Sequence, residues 1–300
     1  MIDLRYHVYS LAAVFFALAI GIVIGTSFVG KPADRKQMLS IANRYERDLQ
    51  ELQKEMLKQQ TALRSARADF GRSERMCASL IPVALKDRLL YHNIAIIQTG
   101  DYDELTTDLK AAVQSVGGQV TSVTKIPASF DFENPDAVSR AAAAAGIAPE
   151  PGENNRTAIL RAIAQAIVSA VHAERLPTLE EENVVSLSGD YSRWNRYVLI
   201  VGGSSSEDAR RADTVDVPLI NALVGQHATI VACEPLGAKS SYVPAWKRTD
   251  IATVDNADRA CGQAAAICAL AGEKANFGEK RTADRFIPET LASAGGRRRE

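Results

Sequence analysis

Four cysteines, four histidines and four methionines are the residues of this chain that could act as nucleophiles, proton carriers or soft-metal ligands. Their spacing supports none of these roles. Cys77, Cys233, Cys261 and Cys268 contain no CxxC pair of the kind that holds zinc or cycles between thiol and disulfide. Met76 and Cys77 are adjacent, and Cys261 and Cys268 share a helix face at i, i+7, too far apart for one ion. Such thiols are expected to pack as small apolar groups. The even count permits disulfides without requiring them. His7, His92, His172 and His227 do not cluster, and His172 follows Val171 at the border of an amphipathic run, a boundary position rather than that of a base. No nucleophile elbow, HExxH or triad spacing is present. No catalytic residue and no protein-held metal or cofactor is therefore assigned, and the chain is expected not to be an enzyme.

Ligand chemistry is better placed in the loops that follow apolar runs. Gly202-Gly203-Ser204-Ser205 follows YVLIV and could cradle a phosphate with backbone amides. It lacks both the GxGxxG pattern and a Walker lysine, so a plain strand-to-helix turn is the competing reading. In an open α/β sheet, ligands bind outside the carboxyl ends of the strands. Those ends carry Asp101, Gly202, Gly203, Ser204, Glu234, Asp255 and Asn256. Asp101, Gly202, Gly203, Ser204, Asp255 and Asn256 are the expected ligand crevice, with Asp255 or Asn256 also expected to cap the helix that follows.

These loops need a sheet to hold them. NIAIIQ (93–98) reads as a buried strand, Leu105, Leu109, Val113 and Val116 as a helix closed by Gly117-Gly118, and QVTSVTKI (119–126) as a second strand. Ile159, Ile163, Ile167 and Val171 predict an amphipathic helix, and Val184–Leu187 a short strand. Tyr197–Val201, Ala228–Cys233 and Ile251–Val254 are further strands, the last followed by a helix over Ala257–Ala271. This alternation predicts an α/β domain with a mostly parallel, Rossmann-like sheet and helices on both faces.

The N-terminus is of another kind. Leu11–Val29 is an uncharged apolar run of about 19 residues, long enough at ~1.5 Å per residue to cross a ~30 Å hydrocarbon core. It exceeds the ~7–15 residue core of a cleaved signal peptide, so a retained anchor is expected. Residues 33–75 then carry a heptad seam over about five repeats. Ala42, Leu49, Met56, Leu63 and Phe70 fall at a, and Met38, Tyr45, Leu52, Gln59 and Ala66 at d. Gly71 is expected to end the seam, and Pro82 to open the next helix. Gly21 and Gly25 form a GxxxG spacing that lets helix backbones approach closely. Self-association is expected through Gly21, Gly25, Ala42, Leu49, Leu52, Met56 and Leu63; a single long helix packed on its own domain is the alternative. The predicted divisions are a transmembrane anchor (1–30), a coiled-coil stalk (31–76), an α/β head (77–278) and a polar tail (279–300). With 35 basic against 36 acidic residues there is no electrostatic footprint for nucleic acid.

The opening MIDLRYHVYSLAAVFFALAIGIVIGTSFV resembles the N-terminus of the MctB-type family, the copper transport protein B family of mycobacteria and relatives. The likeness continues through the heptads, the first two strands and LIVGG (199–203). It is most specific at TVDNADRACGQAAAICAL (253–270), where the family carries VDN-x-D-x-x-x-GQ-x-A. The resemblance implies a membrane-anchored envelope protein of copper homeostasis, with an outer-membrane, channel-forming namesake and copper as the transported ion. It implies partners in a lipid membrane and copper, and a head outside the cytoplasm. Local charge opposes that orientation: Arg5 alone precedes the apolar run, whereas Lys31, Arg35, Lys36, Arg44 and Arg47 follow it. One apolar helix cannot line a pore alone, so a channel would require several copies. A scaffold whose head binds a protein or small ligand without transport is the rival reading.

Overall fold

The computed structural model describes residues 4–28, 32–207 and 210–296. Contacts divide the chain between Phe70 and Gly71. The first unit is helical. α1 (Leu4–Phe28) contains His7–Ser27, a 21-residue stretch long and apolar enough to cross a membrane, with none of it buried. The Thr26 and Ser27 hydroxyls return to the Ile22 and Val23 carbonyls, which removes two polar groups from competition with the helix. α2 (Pro32–Ala84) follows. Ala42, Leu49, Leu52, Met56 and Leu63 are exposed along it, and open space surrounds Gly21 and Gly25.

One expected helix boundary inside α2, at Pro82, is corrected, and the helix also continues past Gly71. Neither Gly71 nor Pro82 interrupts it. An interior glycine costs only about 1 kcal/mol. Pro82 falls in the last turn and can donate no bond back to the Ala78 carbonyl, a loss offset by the Ile81 and Leu85 side chains beside it, which are buried in the core.

The second unit alternates strand and helix. In order come β1 (Asn93–Gln98), α3 (Asp103–Ser115), β2 (Gln119–Lys125), α4 (Pro135–Ala144), α5 (Asn155–Ser169), α6 (Leu176–Glu181), β3 (Ser186–Gly189) and β4 (Tyr197–Val201). They are followed by α7 (Val217–Gly225), β5 (Thr229–Cys233), α8 (Val243–Trp246), β6 (Ala252–Val254), α9 (Ala260–Leu270), β7 (Asn276–Phe277) and α10 (Glu289–Gly296). The sheet order is β3-β2-β1-β4-β5-β6-β7. Every pairing is parallel except β2 with β3.

Period-two alternation in the central strands sends side chains to two cores. Ala95, Ile97, Val198 and Ile200 pack with α4, α5, α7 and α8, and Ile94, Ile96, Leu199 and Val201 with α3 and α9. Each such isoleucine or leucine contributes about 1.5–3 kcal/mol on full burial. α5 departs from its expected one-sided pattern. It is buried over most of its circumference, because α4 and α7 pack on it and its alanines permit close approach. Val171 lies beyond its end and is exposed. β3 is displaced two residues toward the C-terminus from its apolar run and lies at an antiparallel edge, where it needs little burial. β7, a two-residue strand, carries too little pattern to be foreseen.

Candidate functional site

β1 lies between β2 and β4, so the chain leaves β1 in opposite directions on its two sides, and the carboxyl ends of β1 and β4 form a topological switch point. Here the loops 99–101 and 202–205 come together. The Thr99 and Gly100 amides both donate to the Val201 carbonyl, at 2.8 and 3.1 Å. A Cβ on Gly100 would run into the Gly203 carbonyl, and Gly203 itself sits at φ +83°, a conformation open to glycine. These two positions therefore require the residue they have.

The amides of Gly202, Ser204, Ser205 and Ser206 are engaged within the protein. Gly202 N–H donates to the Cys233 carbonyl (2.9 Å), Ser204 N–H to the Ser240 carbonyl (3.0 Å) and Ser206 N–H to Ser204 Oγ (3.1 Å). The Ser205 amide and hydroxyl donate to the Asp101 carboxylate at 3.0 and 2.6 Å. The carboxylate of Asp101 thus stands where a bound phosphate would meet the Ser205 amide.

Asp101, Gly202, Gly203 and Ser204 share this place; Asp255 and Asn256 belong to another network, beyond β5. The buried Asp255 carboxylate accepts from the Glu279 and Lys280 amides, at 2.8 and 3.1 Å, and Asn256 Nδ2 donates to Glu279 Oε1 at 3.1 Å. Neither caps α9, which corrects the expectation. Arg259 occupies the N-cap position, and the Ala260 amide donates to Glu74 Oε1. Glu234, fully buried at the end of β5, accepts from Lys280 Nζ (2.5 Å), Ser241 Oγ (2.5 Å) and the Tyr242 amide (2.7 Å). Lys280 thus gives the predicted polar tail a buried charge partner.

Sequence reasoning missed the residues beneath the crevice. Arg211, just ahead of a π turn at Ala212–Asp216, reaches back to the strand ends. Its Nε donates to the Thr99 carbonyl (2.9 Å), and Nη2 to the Ile126 and Pro127 carbonyls (2.5 and 3.1 Å). Asp216 is fully buried, accepting from Trp246 Nε1 (2.8 Å) and Thr99 Oγ1 (3.1 Å) through Oδ2. Its Oδ1 has no partner among the described residues. Burial pushes its pKa up to about 7, against the Trp246 and Thr99 hydrogen bonds and the Arg211 charge. No local motif marks Arg211 or Asp216; only a π turn, which leaves no sequence period, aims them at the sheet.

The soft donors stay apart. Cys233 and Cys268 are buried, Cys261 is half-buried and Cys77 is exposed; all are free thiols. Burial raises the Cys233 thiol far above its ordinary value and Cys268 to about 11; burial and the charges of Glu74 and Glu279 raise Cys261. The thiolate is the metal ligand, and these environments disfavour it. Among the described residues no three His, Cys, Asp or Glu side chains form a group able to hold a metal ion.

These features define an α/β protein with a Rossmann-like strand order, preceded by a helix of membrane-crossing length. The chain belongs to the family described as copper transport outer membrane protein, MctB, whose model matches residues 1–288. Its curated relatives include proteins named copper transporter MctB from Mycobacterium tuberculosis (strain ATCC 25618 / H37Rv) and Mycobacterium bovis (strain ATCC BAA-935 / AF2122/97). Each is 26% identical over 297 residues, covering 90% of this chain and 92% of the relative. The family is one of copper transport and not an enzyme family.

Proposed function

We propose that this protein is anchored in a membrane of the cell envelope by His7–Ser27, self-associates through α2 and acts in copper homeostasis by promoting copper efflux. The observation that carries the reading is the family match, which runs from the apolar helix through the whole α/β unit. The helix adds support, because it buries nothing within the protein and is long enough to span the hydrocarbon. A pore would need several copies, for which the exposed Leu49, Leu52, Met56 and Leu63 supply a seam. The α/β unit is assigned to the exocytoplasmic side, following the envelope role and against the local excess of Lys and Arg after the apolar run.

A deletion strain tests the function: it should grow less well in copper and accumulate more of it, and unchanged copper content would refute the efflux reading. Orientation is tested with Cys77, after Cys233, Cys261 and Cys268 are replaced by serine. A membrane-impermeant thiol reagent should label intact cells; labelling only after lysis would place the α/β unit in the cytoplasm. The second reading, a scaffold without transport, is favoured by one observation. The described soft donors are dispersed, and three of the four thiols are buried or half-buried. Normal copper content in the deletion strain, with loss of a captured partner protein, would select it.

A further inference from the structure

The switch point opens into a cavity of about 240 Å³ bounded by the β1 and β4 loops, the segment after β2 and the π turn. This is below the ~300–1,000 Å³ of sites for drug-sized ligands, so any occupant is small. Its charged lining is nearly all committed. Asp101 is held by Ser204 and Ser205, the Asp131 carboxylate accepts from the Glu133 amide (2.8 Å), and Glu133 pairs with Arg210 at 3.5 Å. Arg211 is different. A guanidinium has five N–H donors in a fixed fork. One on Nε and two on Nη2 are spent on the carbonyls of Thr99, Ile126 and Pro127. Asp216 acts on Arg211 through its charge without an ion-pair contact, and among the described residues the hydrogen bonds of Arg211 leave from Nε and Nη2, none from Nη1. The same cavity offers the Ser204, Ser206 and Thr214 hydroxyls and an apolar wall of Phe130, Val215 and Tyr242.

We propose that this crevice binds a small organic anion, a carboxylate or phosphate monoester on an apolar body, anchored by Nη1 of Arg211. The three carbonyl bonds hold the guanidinium in place before the ligand arrives, so little side-chain entropy is lost on binding. A charge-assisted bond in this half-buried setting is stronger than one to a neutral group. The aromatic wall receives the ligand's apolar part. The site is separate from the copper reading and holds whether or not the chain transports the metal.

The test uses the full chain in mild detergent with two matched pairs of probes, benzoate with benzamide and phenyl phosphate with phenol. Calorimetric titration and thermal unfolding should show the anions binding and raising the midpoint, with the neutral partners at least tenfold weaker. Arg211→Gln should abolish that discrimination. Because this variant also loses carbonyl bonds and could unfold, Thr214→Phe provides a second arm: it obstructs the cavity and leaves Arg211 intact, and should weaken both anions at least tenfold. Equal binding of anion and neutral partner, unchanged anion affinity in Thr214→Phe, or no binding of either anion at about 10 mM would overturn the proposal.

Discussion

Replacing Asp216 by Asn should make the protein more stable at alkaline pH and flatten the pH dependence of its stability. The folded-state pKa of about 7 lies above the ordinary value of 3.8. Between those two values the folded chain holds a proton that the unfolded chain has released. Stability due to this group is therefore complete below about pH 4 and is lost as pH rises through about 7, at about 1.4 kcal/mol per pH unit. From pH 5 to pH 8 the loss comes to about 2.5 kcal/mol. Asparagine is neutral throughout, and its carbonyl oxygen can accept the bonds from Trp246 Nε1 and Thr99 Oγ1 that now go to Oδ2. Its amide would occupy the position of the unpartnered Oδ1, near Arg211, so part of the gain is offset. The assay is urea unfolding of the full chain and the Asn variant in detergent at pH 5 and pH 8. Comparing the two proteins cancels every other titrating group. The stability difference between them should move toward the variant by about 2.5 kcal/mol between those pH values, the pH-independent cost of the amide cancelling. A difference that stays constant would refute the assignment of a proton to Asp216 in the folded protein.

Lys280→Met leaves Glu234 buried with two donors and no cation, and should cost about 3 kcal/mol by urea unfolding; a loss below the error of the measurement would show the pair to be dispensable. The full chain should scatter light as a dimer or larger in mild detergent, and Leu49→Asp with Leu63→Asp should shift it toward monomer; a monomeric parent chain would sink the seam. A fragment over 71–296 should unfold cooperatively in water, whereas one over 87–278 should melt earlier. The shorter fragment loses buried Ile81 and Leu85, at about 1.5–3 kcal/mol each, together with Lys280. Equal midpoints would show that the flanking segments contribute nothing.

The apolar run near the N-terminus, the heptad spacing and the strands NIAIIQ and YVLIV were legible because each rests on a local period or on length, which needs no partner. The α/β alternation followed, and with it the expectation of a crevice at the strand ends containing Asp101 and Gly202–Ser204. Tertiary structure decided which of the crevice residues meet. Strand order put β4 beside β1 and two strands between β1 and β6, so Asp101 joined the serine loop while Asp255 and Asn256 met Glu279 and Lys280. It also spent the amides of Gly202, Ser204 and Ser205 on Cys233, Ser240 and Asp101, which takes them out of a phosphate cradle. Arg211 and Asp216 carry no signal in the sequence, because their roles come from a π turn and from burial among Thr99, Ile126 and Trp246, segments 30 to 117 residues away along the chain. Period and length act along the chain and can be read from it. Hydrogen-bond commitment and desolvation act between distant segments, and only the folded chain brings those together.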